Sequence, residues 1–208
     1  NTINNDPDID FVVVVGNLTG SGSLQEMALL YPALQRLDAP YFCLPGEQDQ
    51  QIDALDPYEN YQRYFQRNRW RENWGAWTII GLDCPSEPNG VSVMPVENLV
   101  WLEQQLARID SSRPLALFCP RSVDPDGLGT PLENGADVLA RFQYHNLLLV
   151  VNGGFHSNHH SVRDEILFVS SACCSSVIEN DDDSEEKGIQ LFNLDGPTIA
   201  HNFVHVPR

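Results

Sequence analysis

The sequence predicts an α/β fold: two mixed β-sheets flanked by helices. Three observations carry that expectation. Short apolar, β-branched runs alternate with segments of helical periodicity as far as Val151. Beyond it, strand-like runs follow one another with no convincing helix between them. Several runs also end in a loop marked by Gly, Asn, Pro or a carboxylate, as in sheets that carry their functional groups at strand C-termini.

Residues 11–15 form a β-branched run between Asp8 and Asp10 on one side and Gly16-Asn17 on the other, the pattern of a buried strand. Over residues 24–37, Leu24, Met27, Ala28, Leu30, Leu34 and Leu37 recur at helical spacing. Pro32 within that stretch is expected to kink or interrupt the helix. Residues 41–44 make a second strand, stopped by Pro45-Gly46. Residues 58–66 read as an aromatic-rich helix with Pro57 in its first turn, and 77–82 as a third strand. Pro95 opens a helix reaching about Ile109, with Leu99, Leu102, Leu106 and Ile109 on one face. Strands at 115–118 and 147–151 flank a shorter helix around 132–142. Strands at 166–169, 189–194 and 198–204 then form a second, mostly antiparallel sheet. The acidic run 179–186 reads as a solvated loop between strands.

A chain of 208 residues suits one domain with a sizeable core. Its net charge of −17 repels phosphate backbones and anionic lipid. Nucleic acid is therefore not expected as a partner, and another protein is. No apolar run approaches the roughly 20 residues of a membrane span. The five cysteines have neither CxxC nor other zinc spacing, and their odd number favours a reducing, cytoplasmic compartment. Nothing at Asn1 has the pattern of a signal peptide.

The loops after the strands carry the chemistry. In order they read Gly16-Asn17, Gly46-Glu47-Gln48-Asp49, Phe118-Cys119-Pro120 and Gly153-Gly154-Phe155-His156. This order and spacing resembles the calcineurin-like metallophosphoesterases. Their motifs run Asp-x-His, Gly-Asp, Gly-Asn-His-Asp/Glu, a His-His-Pro-type segment and Gly-His-x-His, each after a core strand. Trp101-Leu102-Glu103 is similar to the helix before the fourth motif, and Lys187-Gly188-Ile189 to the start of the closing strands. The resemblance implies a calcineurin-like phosphoesterase sandwich as a single domain over residues 1–208. It also implies that the strand bearing Asp-x-His would lie upstream of Asn1.

The resemblance further implies two metal ions held by carboxylate and imidazole ligands, which clamp phosphate and activate water. Residue by residue, the chain departs from that set. The bridging Asp position holds Asn17, and the ligand Asn of the third motif is Glu47. The His beside it is Gln48, which cannot act as a general acid; Asp49 matches. Phe118-Cys119 stands for the His-His pair, and in the last motif Gly154 replaces the first His, leaving His156. Gly16, Gly46 and Gly153 keep their motif positions.

Two functional readings follow. In the first, the domain is a pseudoenzyme: the fold is kept, dinuclear catalysis is lost, and the role is binding or structural. In the second, it is a phosphohydrolase of phosphomonoesters or phosphodiesters with an altered or single-metal site. Asn17, Glu47 and His156 would then hold manganese, zinc or iron, with Cys119 nearby if the ion were zinc and Asp49 in support. Other features have plainer readings. His156, His159 and His160 suit an exposed loop, and Cys173-Cys174 a pair of free thiols. Asp124-Pro125-Asp126-Gly127 lacks the later ligands of a calcium loop and reads as a turn. The stretch from Tyr58 to Trp77 mixes aromatics with arginines. Its residues divide between core packing and a partner surface, for which Arg63, Arg67, Trp70 and Trp74 are the candidates.

Overall fold

The computed structural model describes residues 2–51, 54–86, 91–175 and 177–206. Its largest element is a six-stranded sheet of order β3-β4-β5-β6-β8-β7. The strands are β3 (Trp70–Trp74), β4 (Trp77–Gly81), β5 (Leu115–Cys119), β6 (Leu147–Asn152), β7 (His159–Arg163) and β8 (Ile166–Ser170). β4, β5, β6 and β8 run parallel, while β3 and β7 close the edges antiparallel. Two smaller sheets complete the strands. β1 (Val12–Val15) and β2 (Tyr41–Leu44) pair in parallel, and β9 (Gly188–Asp195) and β10 (Thr198–His205) form an antiparallel hairpin.

Alternation along the parallel strands divides the core into two. Ile80, Leu82, Leu117, Cys119 and Val150 face a cluster completed by α3 (Val96–Leu106), through Leu99, Leu102 and Leu106, and by α4 (Gly135–Ala140), through Val138. Ile79, Ala116, Phe118, Leu149 and Val151 face the opposite cluster, covered by Val13, Val15 and Phe42 of the β1–β2 pair and Phe192, Leu194 and Ile199 of the hairpin. α1 (Leu24–Leu34) and α2 (Glu59–Phe65) close the outer side of β1–β2 over Met27, Cys43, Tyr58 and Tyr61. The layers are helix, sheet, sheet, helix.

Most apolar runs form the expected strands within a residue or two, and three expectations change. Helix α1 runs through Pro32 and ends at Leu34; Ser23 starts it with a capping box to Glu26. The strand at 166–170 joins the first sheet rather than a closing meander, because Phe168 and Val169 are both buried, one in each cluster. The aromatic–arginine stretch contains strand β3, and the histidine segment contains β7. Among the described residues no helix is long and apolar enough to cross a membrane.

Candidate functional site

The loops after β1, β2, β4, β5 and β6 converge at one end of the sheets. Backbone crowding sets their shape. Gly16 is in the left-handed region at φ 77°, and a Cβ there would lie 3.0 Å from Pro120. A Cβ on Gly46 would fall 2.3 Å from the Asn17 amide nitrogen, so the β1 loop passes directly over the β2 loop.

Asp49 locks these two loops together. It is fully buried, and each carboxylate oxygen accepts two hydrogen bonds. Oδ2 takes the amides of Leu18 at 2.9 Å and Gly46 at 2.8 Å; Oδ1 takes the Thr19 amide and hydroxyl, both at 2.8 Å. Burial pushes its carboxyl above the usual range, and these bonds oppose the shift. Asn17, at φ 46°, accepts a 3.1 Å bond from the Gln48 amide through Oδ1, the oxygen a metal would need.

Arg121, two residues beyond Cys119, holds Glu47. Its Nη2 donates to Glu47 Oε2 and its Nη1 to Thr130 Oγ1. Ser86 Oγ donates to the same glutamate oxygen at 3.5 Å and lies 3.0 Å from Ser92 Oγ. The arginine side chain is 13% exposed and the glutamate 37%. Burial lowers the guanidinium from its ordinary value, yet arginine stays charged in proteins. Arg121 belongs to none of the motifs; its signal in the sequence is a cation beside a motif position in a chain with 12 Lys and Arg against 29 acids.

The remaining motif positions point elsewhere. Phe118 packs in the core against Trp70, ring centres 6.4 Å apart. Cys119 is buried and donates to Cys84 Sγ at 3.6 Å, and burial pushes the Cys84 thiol well up. Gly153 and Gly154 lie against the Pro120 carbonyl, where a Cβ would stand 3.0 and 2.8 Å away. The backbone amide of His156 donates to Asp181 Oδ2 at 2.7 Å, and its ring lies 4.0 Å from the same oxygen. The acidic loop is thus docked on the turn after β6 rather than simply solvated: the Asp181 amide bonds the His156 carbonyl and Ser157 Oγ bonds Asp182.

The donors do not fit a metal centre. Glu47 is held by a guanidinium, the Asn17 oxygen by a backbone amide, and the Cys119 thiol by a second thiol. Among the described residues no three His, Cys, Asp or Glu side chains are grouped to hold an ion. Gln48 is exposed beside them, with no ionisable group to supply a proton.

The candidate partner residues separate in the structure. Arg63 and Arg67 are exposed and pair with Glu59 and Glu72. Trp70 is 3% exposed, its Nε1 donating to the Cys43 carbonyl, and belongs to the core. Trp74 packs on Phe11 with ring centres 4.9 Å apart.

The model of the calcineurin-like phosphoesterase family matches residues 1–158. The chain belongs to that family. It is 26% identical over 160 residues to a probable glycerophosphodiester phosphodiesterase, GpdQ, of Arcobacter nitrofigilis; the match covers 72% of the chain and 58% of that relative. The chain therefore spans little more than half of the relative's length. Purple acid phosphatase PPD1 from yellow lupin (Lupinus luteus) seeds superposes with a TM-score of 0.68 at 11% identity, covering 95% of this chain and 44% of that one. GAP50, the anchor in the inner membrane complex of Plasmodium, gives 0.63 at 14% identity, covering 98% and 76%. These two likenesses show a shared fold and no more.

Proposed function

We propose that the domain is a non-catalytic calcineurin-like phosphoesterase with a binding or structural role. The observation that supports this most is the Arg121 guanidinium on Glu47. It already neutralises the carboxylate, and its positive charge opposes a divalent cation at the same place. To bind metal, Glu47 would have to release a charge-assisted hydrogen bond worth about 1.5–3 kcal/mol. Loss of the acid–base His position to Gln48 acts in the same direction.

A binding role suits the α2 face, which offers Arg63 and Arg67 to another protein. Next to them is a cavity of about 380 Å³ lined by Tyr31, Tyr64, Phe65 and Arg67. Arg and Tyr are frequent interface anchors. GAP50, described as an anchor, is a neighbour with this fold.

The competing reading is a phosphohydrolase with a single-metal site at Asn17, Glu47 and His156. It draws support from the Arcobacter relative. Elemental analysis after loading with manganese or zinc and desalting, with a bis(p-nitrophenyl) phosphate assay, separates the two. The proposal expects no retained ion and no turnover. One ion per chain with turnover abolished by His156→Ala would establish the competing reading.

A further inference from the structure

On the β7–β8 side of the Gly153–Gly154 turn lies a cavity of about 140 Å³, which the last motif borders through Gly153 and Phe155 while Asn17, Glu47 and His156 are not in its lining. Its walls come from the loop after β5, the end of β6 and one face of β7. That face presents His159, Ser161 and Arg163, alternate residues of one strand. Facing them are Asp124 and Asp126, which share Arg163: Nη1 donates to Asp124 Oδ1 and, at 3.0 Å, to Asp126 Oδ2. Asp124 is 3% exposed and Asn152 9%.

Polar capacity remains after these bonds are made. Asn152 Oδ1 accepts from the Val123 amide at 3.3 Å, and its amide nitrogen has no bond among the described residues. The same holds for Ser161 Oγ and for Arg163 Nε and Nη2, while Asp124 Oδ2 and Asp126 Oδ1 stay open as acceptors. The cavity thus offers donors and acceptors together. Its charges are already committed to one another. An anion would meet two carboxylates, and a cation would have to displace Arg163 from them. A neutral ligand whose groups both donate and accept meets neither penalty. Leu128, Phe155 and Phe168 supply an apolar side for its carbon atoms. The volume is close to the roughly 150 Å³ of a cavity that holds a six-membered ring.

We propose that this cavity binds a neutral vicinal polyol of about six heavy atoms, or the hydroxylated edge of a sugar. It stands apart from the cleft's chemistry, so a catalytic or a silent cleft leaves it unchanged. The test is a titration of the isotope-labelled chain, followed by backbone amide NMR, with glycerol and erythritol. 1-Propanol, glycine and inorganic phosphate serve as comparators. Saturable shifts centred on Asp126, Asn152 and Ser161 are expected with the polyols at millimolar concentration. Ser161→Ala and Asp126→Ala should each weaken the affinity by about tenfold while amide spectra elsewhere stay native. Asp126 is 81% exposed at its side chain, so its replacement leaves the fold intact. The proposal is overturned by any of three results: no saturation by either polyol, equal or tighter binding of a comparator, or polyol affinity unchanged in both variants.

Discussion

Arg121 and Glu47 are 74 residues apart in the chain and meet as an ion pair between the loops after β5 and β2. The contact occupies Glu47 with a cation supplied by the chain itself. It also joins two loops from different sheets, since β5 belongs to the six-stranded sheet and β2 to the pair with β1.

That dual role predicts a stability cost. Arg121→Ala leaves a half-buried carboxylate with only the Ser86 hydroxyl and removes the bond to Thr130. A loss of about 1.5–3 kcal/mol is expected, the range for a hydrogen bond to a charged partner. Urea denaturation measures it. A change below about 0.5 kcal/mol would mean the pair is a surface contact with no structural share.

Asp49 should matter more. Removing its side chain strands the amides of Leu18, Thr19 and Gly46 in a buried setting. Each unpaired group costs about 1–3 kcal/mol, so Asp49→Ala should lose about 3–5 kcal/mol in denaturant unfolding, allowing for relaxation. Asp49→Asn keeps one acceptor oxygen and should lose distinctly less. Equal losses would show that packing, not hydrogen bonding, holds the loops.

Trp70 and Gly81 face each other across the β3–β4 ladder, and the indole fills the space a side chain at 81 would take. A Cβ on Gly81 would sit 2.4 Å from the Trp70 ring. Gly81→Ala is therefore expected to cost about 1–3 kcal/mol by overpacking, and Trp70→Ala about 3–5 kcal/mol by leaving a cavity. The double variant should cost less than their sum, because the clash disappears with the indole. Additive losses would place the two side chains out of contact.

The same strand shows what the sequence could and could not disclose. β4, β5 and β6 are covered on both faces, so their apolar runs are continuous and stand out. β3 and β7 are sheet edges with one partner each, and the polar residues within WRENW and HHSVR read as surface rather than strand. In the cleft, the motif order was legible because each loop follows a core strand. The Arg121–Glu47 pairing was not, because no local pattern links positions in loops from different sheets. The histidine segment is exposed at His159 and His160, as expected of surface histidines, but it is an edge strand rather than a loop. The two point to opposite faces of β7, while the His156 backbone amide is held by Asp181.

His160 meets His201 of β10, ring centres 5.0 Å apart and edge to face, and the His201 ring stacks on Phe192. Burial first, and the neighbouring His160 second, hold the His201 imidazole below its ordinary value near 6.5. The unfolded chain therefore binds this proton more readily than the folded one. Stability is complete above the unfolded value and falls as the pH drops through it toward the folded value. Between pH 7 and pH 5 this imidazole should pull the melting temperature down, against the buried Asp49 and Asp83 carboxyls, whose raised values act the other way. His201→Gln should therefore shift the slope toward greater stability at pH 5 relative to pH 7. An unchanged slope in the variant would show that the His201 imidazole is not the source of the acid sensitivity.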